Sequence, residues 1–290
     1  MLFKENETLT YYEVLERASS FLKEIRHSSF VAEWLMRERL DWTKTDLILN
    51  YNNEMPGESL RQFEQDFKAF LKGQPMQYII GHEWFYNRKF KVTENTLIPR
   101  PETEEWLDRV LKELPDRKLN VLDIGTGTGV MGITLKLERP NDTVTATDIS
   151  EAALKVAKEN AKRLQANVSF KLGDLFDPVK EERFDLIVCN PPYIAEAEMD
   201  VMDSSVLAYE PKAALFAKEE GLANYKKIAE SINEYLKPES CAFFEIGYKQ
   251  GEKVSQLFKN ALPEARIELW KDFNGHDRVV AVYLETESVK

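Results

Sequence analysis

The chain has 290 residues, a formal net charge of −11, 43% hydrophobic residues and 31% charged residues. This length favours about two domains, and no apolar stretch approaches the roughly 20 residues of a membrane span. The acidic balance argues against a broad nucleic-acid footprint, which needs clustered lysines and arginines.

Residues 1–73 predict a small bundle of amphipathic helices. Residues 1–55 contain no glycine and no proline, and apolar residues recur there at helical spacing. A further helical segment follows Pro56-Gly57 and stops at Gly73. We therefore interpret residues 1–73 as a helical domain whose aromatic side chains form its core.

Residues 74–98 predict a β-hairpin that links two domains. The segments 77–81 and 84–92 are rich in β-branched and aromatic residues, which favour strands. We expect the two segments to pair with each other.

Short apolar runs alternate with helical segments from residue 99 to residue 290. Strands are expected at 119–124, 143–148, 167–172, 184–189, 240–246, 265–270 and 278–284. Helices are expected near 102–114, 129–138, 151–165, 221–236 and 250–260. This alternation predicts an α/β fold with a mostly parallel sheet covered on both faces. No helix separates the last two strands, so we expect them to pair antiparallel at one edge.

Three features bear on compartment and metal binding. The first residues lack the basic patch and apolar run of a signal peptide. Cys189 and Cys241 lie in apolar strand candidates, which suits a reducing compartment better than a disulfide scaffold. No histidine has a metal-ligand partner at a recognisable spacing. We expect a cytoplasmic protein without a metal site.

A glycine loop follows the first strand of the predicted sheet and begins a helix. Its sequence is Asp123-Ile124-Gly125-Thr126-Gly127-Thr128-Gly129, and such glycines let a ligand approach a helix amino end without meeting a Cβ atom. With Gly132 the loop also satisfies the G-x-G-x-x-G pattern, which leaves a dehydrogenase open. Asp123 disfavours a dehydrogenase, because its carboxylate would repel the pyrophosphate of a dinucleotide. The same carboxylate could accept hydrogen bonds from the loop or from a cofactor amino group.

Two more acids stand at strand ends. Asp148 ends the second strand, where a carboxylate can accept hydrogen bonds from both ribose hydroxyls of NAD or S-adenosylmethionine. Its alternative role is to cap the helix that follows. Asp174 ends the third strand and could accept the adenine amino group, with Leu175 and Phe176 walling the ring, or it could be a turn residue.

The motif Asn190-Pro191-Pro192-Tyr193 ends the fourth strand and is the most informative stretch of the chain. The fourth strand lies beside the first, where strand order reverses and strand ends face the ligand crevice. The Asn190 side-chain oxygen and the Pro191 carbonyl could each accept one hydrogen of a planar –NH2 group, while Tyr193 stacks on it. An amide nitrogen is a poor nucleophile, so orientation within about 3–3.5 Å of a methyl carbon must supply much of the rate. The motif favours methyl transfer to a planar nitrogen over an ordinary turn.

The glycine loop and this motif together resemble class I methyltransferases that modify planar nitrogens. Further stretches resemble the release factor glutamine methyltransferase family: 74–81, 97–104, 209–215, 245–247 and 272–278. The resemblance spans nearly the whole chain. It implies a seven-stranded Rossmann-like methyltransferase domain at 99–290, a substrate-docking role for 1–73, and S-adenosylmethionine as the cofactor, with S-adenosylhomocysteine as its product.

The resemblance also implies a substrate and a set of site residues. The substrate would be the glutamine of the Gly-Gly-Gln motif in bacterial class-one release factors, with no membrane and no direct nucleic-acid partner. The motif at 190–193 would bind this glutamine, with Asn190, Pro191 and Tyr193 as the catalytic residues. The cofactor contacts would be Asp123, Gly125, Thr126, Gly127, Thr128, Gly129, Asp148, Asp174, Leu175 and Asn190.

Three alternatives remain open at this point. A ribosomal-protein glutamine methyltransferase would share the chemistry and differ mainly in its amino-terminal domain. A nucleic-acid methyltransferase would need a flipped base and a basic channel. A binding module could keep the fold without catalysis.

Overall fold

The computed structural model describes residues 7–284. They form two compact units, one with the residues up to Gly81 and Ser204–Tyr209, the other with His82–Asp203 and the residues from Glu210 onwards. No helix within residues 7–284 is long and apolar enough to cross a membrane.

The first unit is helical, as expected. Its first helices are α1 (Tyr11–Glu24), α2 (Phe30–Leu40), α3 (Lys44–Asn50), α4 (Gly57–Leu71) and α5 (Met76–Ile80). Thr10 and Thr43 begin α1 and α3 as capping boxes, because each side-chain oxygen accepts a backbone N–H three residues on and the acid there reciprocates. One apolar core holds these helices together, and its most deeply buried members include Val14, Leu22, Leu35, Leu47, Phe63 and Phe67.

Residues 77–80 belong to helix α5, so the predicted strand at 77–81 is wrong. Pro75 precedes the helix, and Gly81 ends it in the left-handed conformation with φ 90°. Arg39 of α2 donates a hydrogen bond to the Ile79 carbonyl at 2.9 Å. Packing of the isoleucines against the helical core overrides their preference for strands.

The second unit begins with the hairpin strands β1 (His82–Phe85) and β2 (Arg88–Lys91), which pair antiparallel. The remaining elements are α6 (Pro101–Glu113), β3 (Asn120–Ile124), α7 (Val130–Glu138), β4 (Thr143–Asp148), α8 (Glu151–Leu164), β5 (Val168–Leu172), β6 (Phe184–Cys189), α9 (Ser204–Tyr209, part of the first unit), α10 (Lys212–Leu215), α11 (Ala223–Tyr235), β7 (Leu236–Glu245), α12 (Gly251–Ala261), β8 (Arg266–Lys271) and β9 (Asp277–Tyr283). All seven predicted strands are present, whereas α9 and α10 were not predicted.

A seven-stranded sheet of order β5-β4-β3-β6-β7-β9-β8 forms the centre of the second unit. The first five strands of this order are parallel neighbours, and β9 pairs antiparallel with both β7 and β8. The predicted antiparallel pairing of the last two strands is therefore confirmed, with β8 at the edge and β9 inside. Strand order reverses between β3 and β6, so their carboxyl ends flank the crevice expected in open α/β sheets.

Asn160 of α8 ties the hairpin to the glycine loop. Its amide is fully buried; Oδ1 accepts the Lys91 N–H at 2.7 Å, and Nδ2 donates to the carbonyls of Lys91 at 3.0 Å and Thr128 at 2.9 Å. One side chain thereby satisfies backbone groups of two segments that are distant in sequence.

Candidate active site

The glycine loop between β3 and α7 leaves part of its backbone uncovered. Gly125 and Gly127 have φ of 67° and 57°, and a Cβ atom added at either would meet nothing within 4 Å. Gly129 differs, since its added Cβ would lie 2.6 Å from Ile133 Cδ1. Gly125 and Gly127 therefore keep space open for a ligand, whereas Gly129 allows the helix to pack closely.

Asp123 is a buried carboxylate beneath this loop. Its Oδ2 accepts hydrogen bonds from Thr126 Oγ1 at 2.6 Å and from the Gly132 N–H at 2.9 Å. Its Oδ1 is buried and has no partner within residues 7–284. Burial raises the pKa of Asp123 to about 6 in spite of these two hydrogen bonds. An unpaired buried carboxylate oxygen fits a cationic donor such as an ammonium group.

The two threonines of the loop have structural partners. The Thr126 hydroxyl donates a hydrogen bond to Asp123, and the Thr126 N–H donates to the Thr147 carbonyl at 3.0 Å. Thr128 is buried and presents its carbonyl to Asn160. Both threonines hold the loop in place through these contacts.

Asp148 contacts the loop from the end of β4. Its Oδ2 accepts the Gly127 N–H at 2.8 Å, and its Oδ1 accepts the Ser150 N–H at 2.8 Å. Ser150, not Asp148, caps α8, because its side chain accepts the Ala153 N–H. The capping alternative for Asp148 is therefore wrong. Burial raises the pKa of Asp148, against the hydrogen bonds that lower it.

The segment after β5, the third strand of the predicted sheet, offers fewer groups for a ligand than the sequence predicts. Asp174 forms an exposed ion pair with Lys227 at 3.2 Å, and Leu175 adopts a positive φ of 44°. Phe176 is buried and stacks on Tyr235 with ring centroids 4.2 Å apart. The interpretation of Phe176 as a wall for adenine is wrong, because its ring belongs to the core.

The motif at 190–193 follows β6 and is held by side chains from two other elements. Asn224 Nδ2 donates to the Pro192 carbonyl at 3.1 Å, and Gln250 Nε2 donates to the Tyr193 carbonyl at 2.9 Å. Within residues 7–284 the Pro191 carbonyl has no hydrogen-bond donor. Two carbonyls of the row expected from the prolines are therefore occupied, and the Pro191 carbonyl stays free.

The side chain of Asn190 supplies a second free acceptor beside it. Its Nδ2 donates to Thr103 Oγ1 of α6 at 3.3 Å, so its Oδ1 points elsewhere, and no donor within residues 7–284 reaches that oxygen. Asn190 Oδ1 and the Pro191 carbonyl are the two oxygens that the sequence assigned to a planar –NH2 group.

Glu245, at the end of β7, lies behind the motif and was not recognised as a site residue from the sequence. Its Oε2 accepts Thr103 Oγ1–H at 2.6 Å and Trp106 Nε1–H at 2.9 Å, and its Oε1 lies 3.4 Å from the Tyr193 hydroxyl. Burial raises the pKa of Glu245, and burial together with this carboxylate raises the pKa of Tyr193. An acid directly after the apolar run at 241–244 is the signal that could have identified it.

Two family models match parts of this chain. Residues 107–218 match the family model "Methyltransferase small domain", and residues 13–81 match "PrmC N-terminal domain". A methyltransferase structure from Pyrococcus furiosus has a TM-score of 0.54 at 16% identity and covers 77% of this chain and 100% of its own, a likeness of fold alone.

Curated relatives match over nearly the full length. The "Release factor glutamine methyltransferase" of Enterococcus faecalis is 45% identical over 93% of this chain and 97% of its own length. The protein of the same name from Staphylococcus aureus is 40% identical over 94% of this chain and 99% of its own. With its Rossmann-like methyltransferase sheet and glycine loop, the chain belongs to the release factor glutamine methyltransferase family.

Proposed function

We propose that this enzyme methylates the side-chain amide nitrogen of the glutamine in the Gly-Gly-Gln motif of bacterial class-one release factors, with S-adenosylmethionine as the methyl donor. The observation that carries the proposal is the pair of free acceptors, Asn190 Oδ1 and the Pro191 carbonyl, at the strand end beside the glycine loop. The names of the relatives at 40–45% identity support a release factor glutamine as the substrate.

The residues around the glycine loop fit S-adenosylmethionine. The unpaired Oδ1 of Asp123 suits the ammonium group of its amino-acid portion, and the bare backbone at Gly125 and Gly127 leaves room beside it. Asp148 would accept from the ribose hydroxyls with the lone pairs that the Gly127 and Ser150 N–H groups leave free, and Asp174 and Leu175 would contact the adenine end. A dinucleotide fits less well, because its pyrophosphate would lie against a buried carboxylate. When bound, S-adenosylmethionine supplies an electrophilic methyl group on a sulfonium.

The residues of the motif act by positioning. Asn190 Oδ1 and the Pro191 carbonyl accept the two N–H groups of the glutamine amide, which fixes the plane of the group and the direction of its nitrogen lone pair. Tyr193 packs its ring against the planar amide and stays neutral, since its pKa is raised. Both acceptors are neutral groups, so one proton leaves to Asn190, to the Pro191 carbonyl or to water as the nitrogen gains the methyl group.

The substrate assignment is tested with purified protein and methyl-labelled S-adenosylmethionine. We expect label on an intact bacterial release factor, located by mass spectrometry on the Gly-Gly-Gln glutamine, and none when that glutamine is alanine. Isolated ribosomal proteins and tRNA, tested in parallel, separate the two alternative substrate classes. Equal labelling of the intact release factor and of its glutamine-to-alanine variant would overturn the assignment. Preferred labelling of a ribosomal protein or of tRNA would overturn it as well.

We expect cofactor binding to depend on pH because of Asp123. An ammonium group needs the ionised carboxylate, and the pKa of Asp123 is raised to about 6. Binding at lower pH must first remove a proton, so we expect the Kd of S-adenosylhomocysteine to rise roughly tenfold between pH 7 and pH 5. Titration calorimetry across this range measures the change.

A ligand without the amino-acid portion serves as the control. The affinity of 5′-methylthioadenosine should stay nearly constant over the same pH range, and Asp123→Asn should flatten the profile of S-adenosylhomocysteine. Parallel pH profiles for the two ligands would contradict the assignment of Asp123 to the ammonium group.

We also propose roles for the remaining parts of the chain. Residues 1–73 dock the release factor, 74–98 link the domains, and 99–290 carry out methyl transfer. The reaction takes place in the cytoplasm, which is supported by the free thiols of Cys189 and Cys241.

A further inference from the structure

A chain of hydrogen bonds runs from the partly buried Asn190 side chain to the buried carboxylate of Glu245. Asn190 Nδ2 donates to Thr103 Oγ1 at 3.3 Å, and the Thr103 hydroxyl donates to Glu245 Oε2 at 2.6 Å. Trp106 Nε1 donates to the same Oε2 at 2.9 Å. Thr103, Trp106 and Glu245 have at most 4% of their surface exposed, so water does not compete for the two bonds to Glu245.

The direction of each hydrogen bond in this chain follows from the available protons. An indole N–H can only donate, which makes Glu245 Oε2 an acceptor. A threonine hydroxyl can donate only one hydrogen bond, and Thr103 donates it to this oxygen. Thr103 Oγ1 can therefore only accept from Asn190, so the amide of Asn190 must turn its Nδ2 towards α6 and its Oδ1 the other way.

The orientation of Asn190 decides which group it can receive. With Oδ1 towards the crevice, Asn190 accepts from an –NH2 group. If the amide were turned over, its own –NH2 would face the –NH2 of a glutamine, and two donors would meet without an acceptor. The geometry points to Thr103 and Glu245 as positioning residues that lock the Asn190 amide in the orientation that selects an amide nitrogen. This inference rests on the proposed function.

The acceptor oxygen of Glu245, and not its charge, is what this arrangement requires. Glutamine at this position keeps an oxygen for Thr103 and Trp106 and turns its amide nitrogen towards the Tyr193 hydroxyl, which is 3.4 Å from Oε1. Glu245→Gln should therefore lower kcat by less than about threefold. A loss of about a hundredfold would show that Glu245 acts as a base or through its charge, and would overturn the inference.

Removal of the Thr103 hydroxyl is the decisive change. Thr103→Val keeps the shape of the side chain but leaves the Asn190 amide free to turn over, so we expect kcat to fall about tenfold, the equivalent of one hydrogen bond. KM and the Kd of S-adenosylhomocysteine should change by less than about twofold, and Thr103→Ser should restore most of kcat. The matched control is Thr134→Val, because Thr134 of α7 is buried and its hydroxyl has no partner within residues 7–284.

A double-mutant cycle separates positioning from packing. In an Asn190→Ala background, Thr103→Val should cause no further loss of kcat, since the side chain that it orients is gone. An additional tenfold loss in that background, or full activity of Thr103→Val alone, would overturn the inference. The reference throughout is wild-type protein acting on the release factor; if wild type itself does not label that substrate, the proposed function fails first and this inference with it.

Discussion

Replacement of Asn190 by alanine is expected to lower kcat for methyl transfer about 10²–10³-fold. The substitution removes one of the two free acceptors, Asn190 Oδ1, so a glutamine amide keeps only its bond to the Pro191 carbonyl and can rotate about it. A delocalised amide nitrogen reacts only from a narrow range of orientations. Single-turnover transfer of labelled methyl to the release factor measures the effect.

The controls for Asn190→Ala separate chemistry from binding. The Kd of S-adenosylhomocysteine should weaken by much less than kcat falls, because Asp123 and the glycine loop are unchanged. Asn260→Ala, at an exposed position near the end of α12, provides the same substitution away from the site and should keep full activity. Wild-type rates for Asn190→Ala would remove Asn190 from the mechanism.

Replacement of Gly221 by alanine should also lower kcat strongly, although Gly221 lies outside the motif at 190–193. A Cβ atom at Gly221 would lie 2.0 Å from the Tyr193 carbonyl oxygen and 2.5 Å from Gln250 Nε2. The motif must shift, and its bond to Gln250 at 2.9 Å must break or lengthen. Since a displacement of about 1 Å costs about 10²-fold in rate, we expect kcat to fall by that order.

Gly275→Ala separates this collision from ordinary backbone strain. Gly275 has φ of 81°, close to the 83° of Gly221, but its added Cβ would meet nothing within 4 Å. Both variants incur the cost of a left-handed alanine, about 1–2 kcal/mol, so both should melt at a lower temperature. Only Gly221→Ala should also lose catalytic rate in the folded protein; similar rate losses in the two variants would contradict the collision.

The parts of the fold that depend on local pattern could be predicted from the sequence. Strand–helix alternation after residue 99 predicts the sheet, and the positions of Asp148 and Asn190 at strand ends follow from it. The segment 77–81 shows the limit of this reasoning. Two isoleucines favour a strand, but packing against the helical core and the bond from Arg39, 40 residues earlier in the chain, decide for a helix.

The hydrogen bonds that Thr103 and Glu245 form next to the motif could not be predicted either, because they join residues that are far apart in sequence. Thr103 and Glu245 are 142 residues apart and belong to a helix and a strand that nothing local brings together. Similarly, no pattern in the sequence shows that Asn224 and Gln250 occupy two of the carbonyls in the motif. Strand ends can be located from sequence, whereas the partners of each polar atom require the packed structure.

The place of β9 in the sheet has a consequence for synthesis of the protein. β9 follows β8 in the chain but lies between β7 and β8, and its residues Val279–Val282 are buried. Until a ribosome has made β9, the nascent sheet has an unpaired apolar edge along β7, of the kind that chaperones cover. Glu245 pairs with Val279 across this edge, so the strand end that carries the acceptor of the Thr103 hydroxyl is paired on this side only when β9 is in place. The active site is therefore expected to mature late, after most of the methyltransferase domain has emerged.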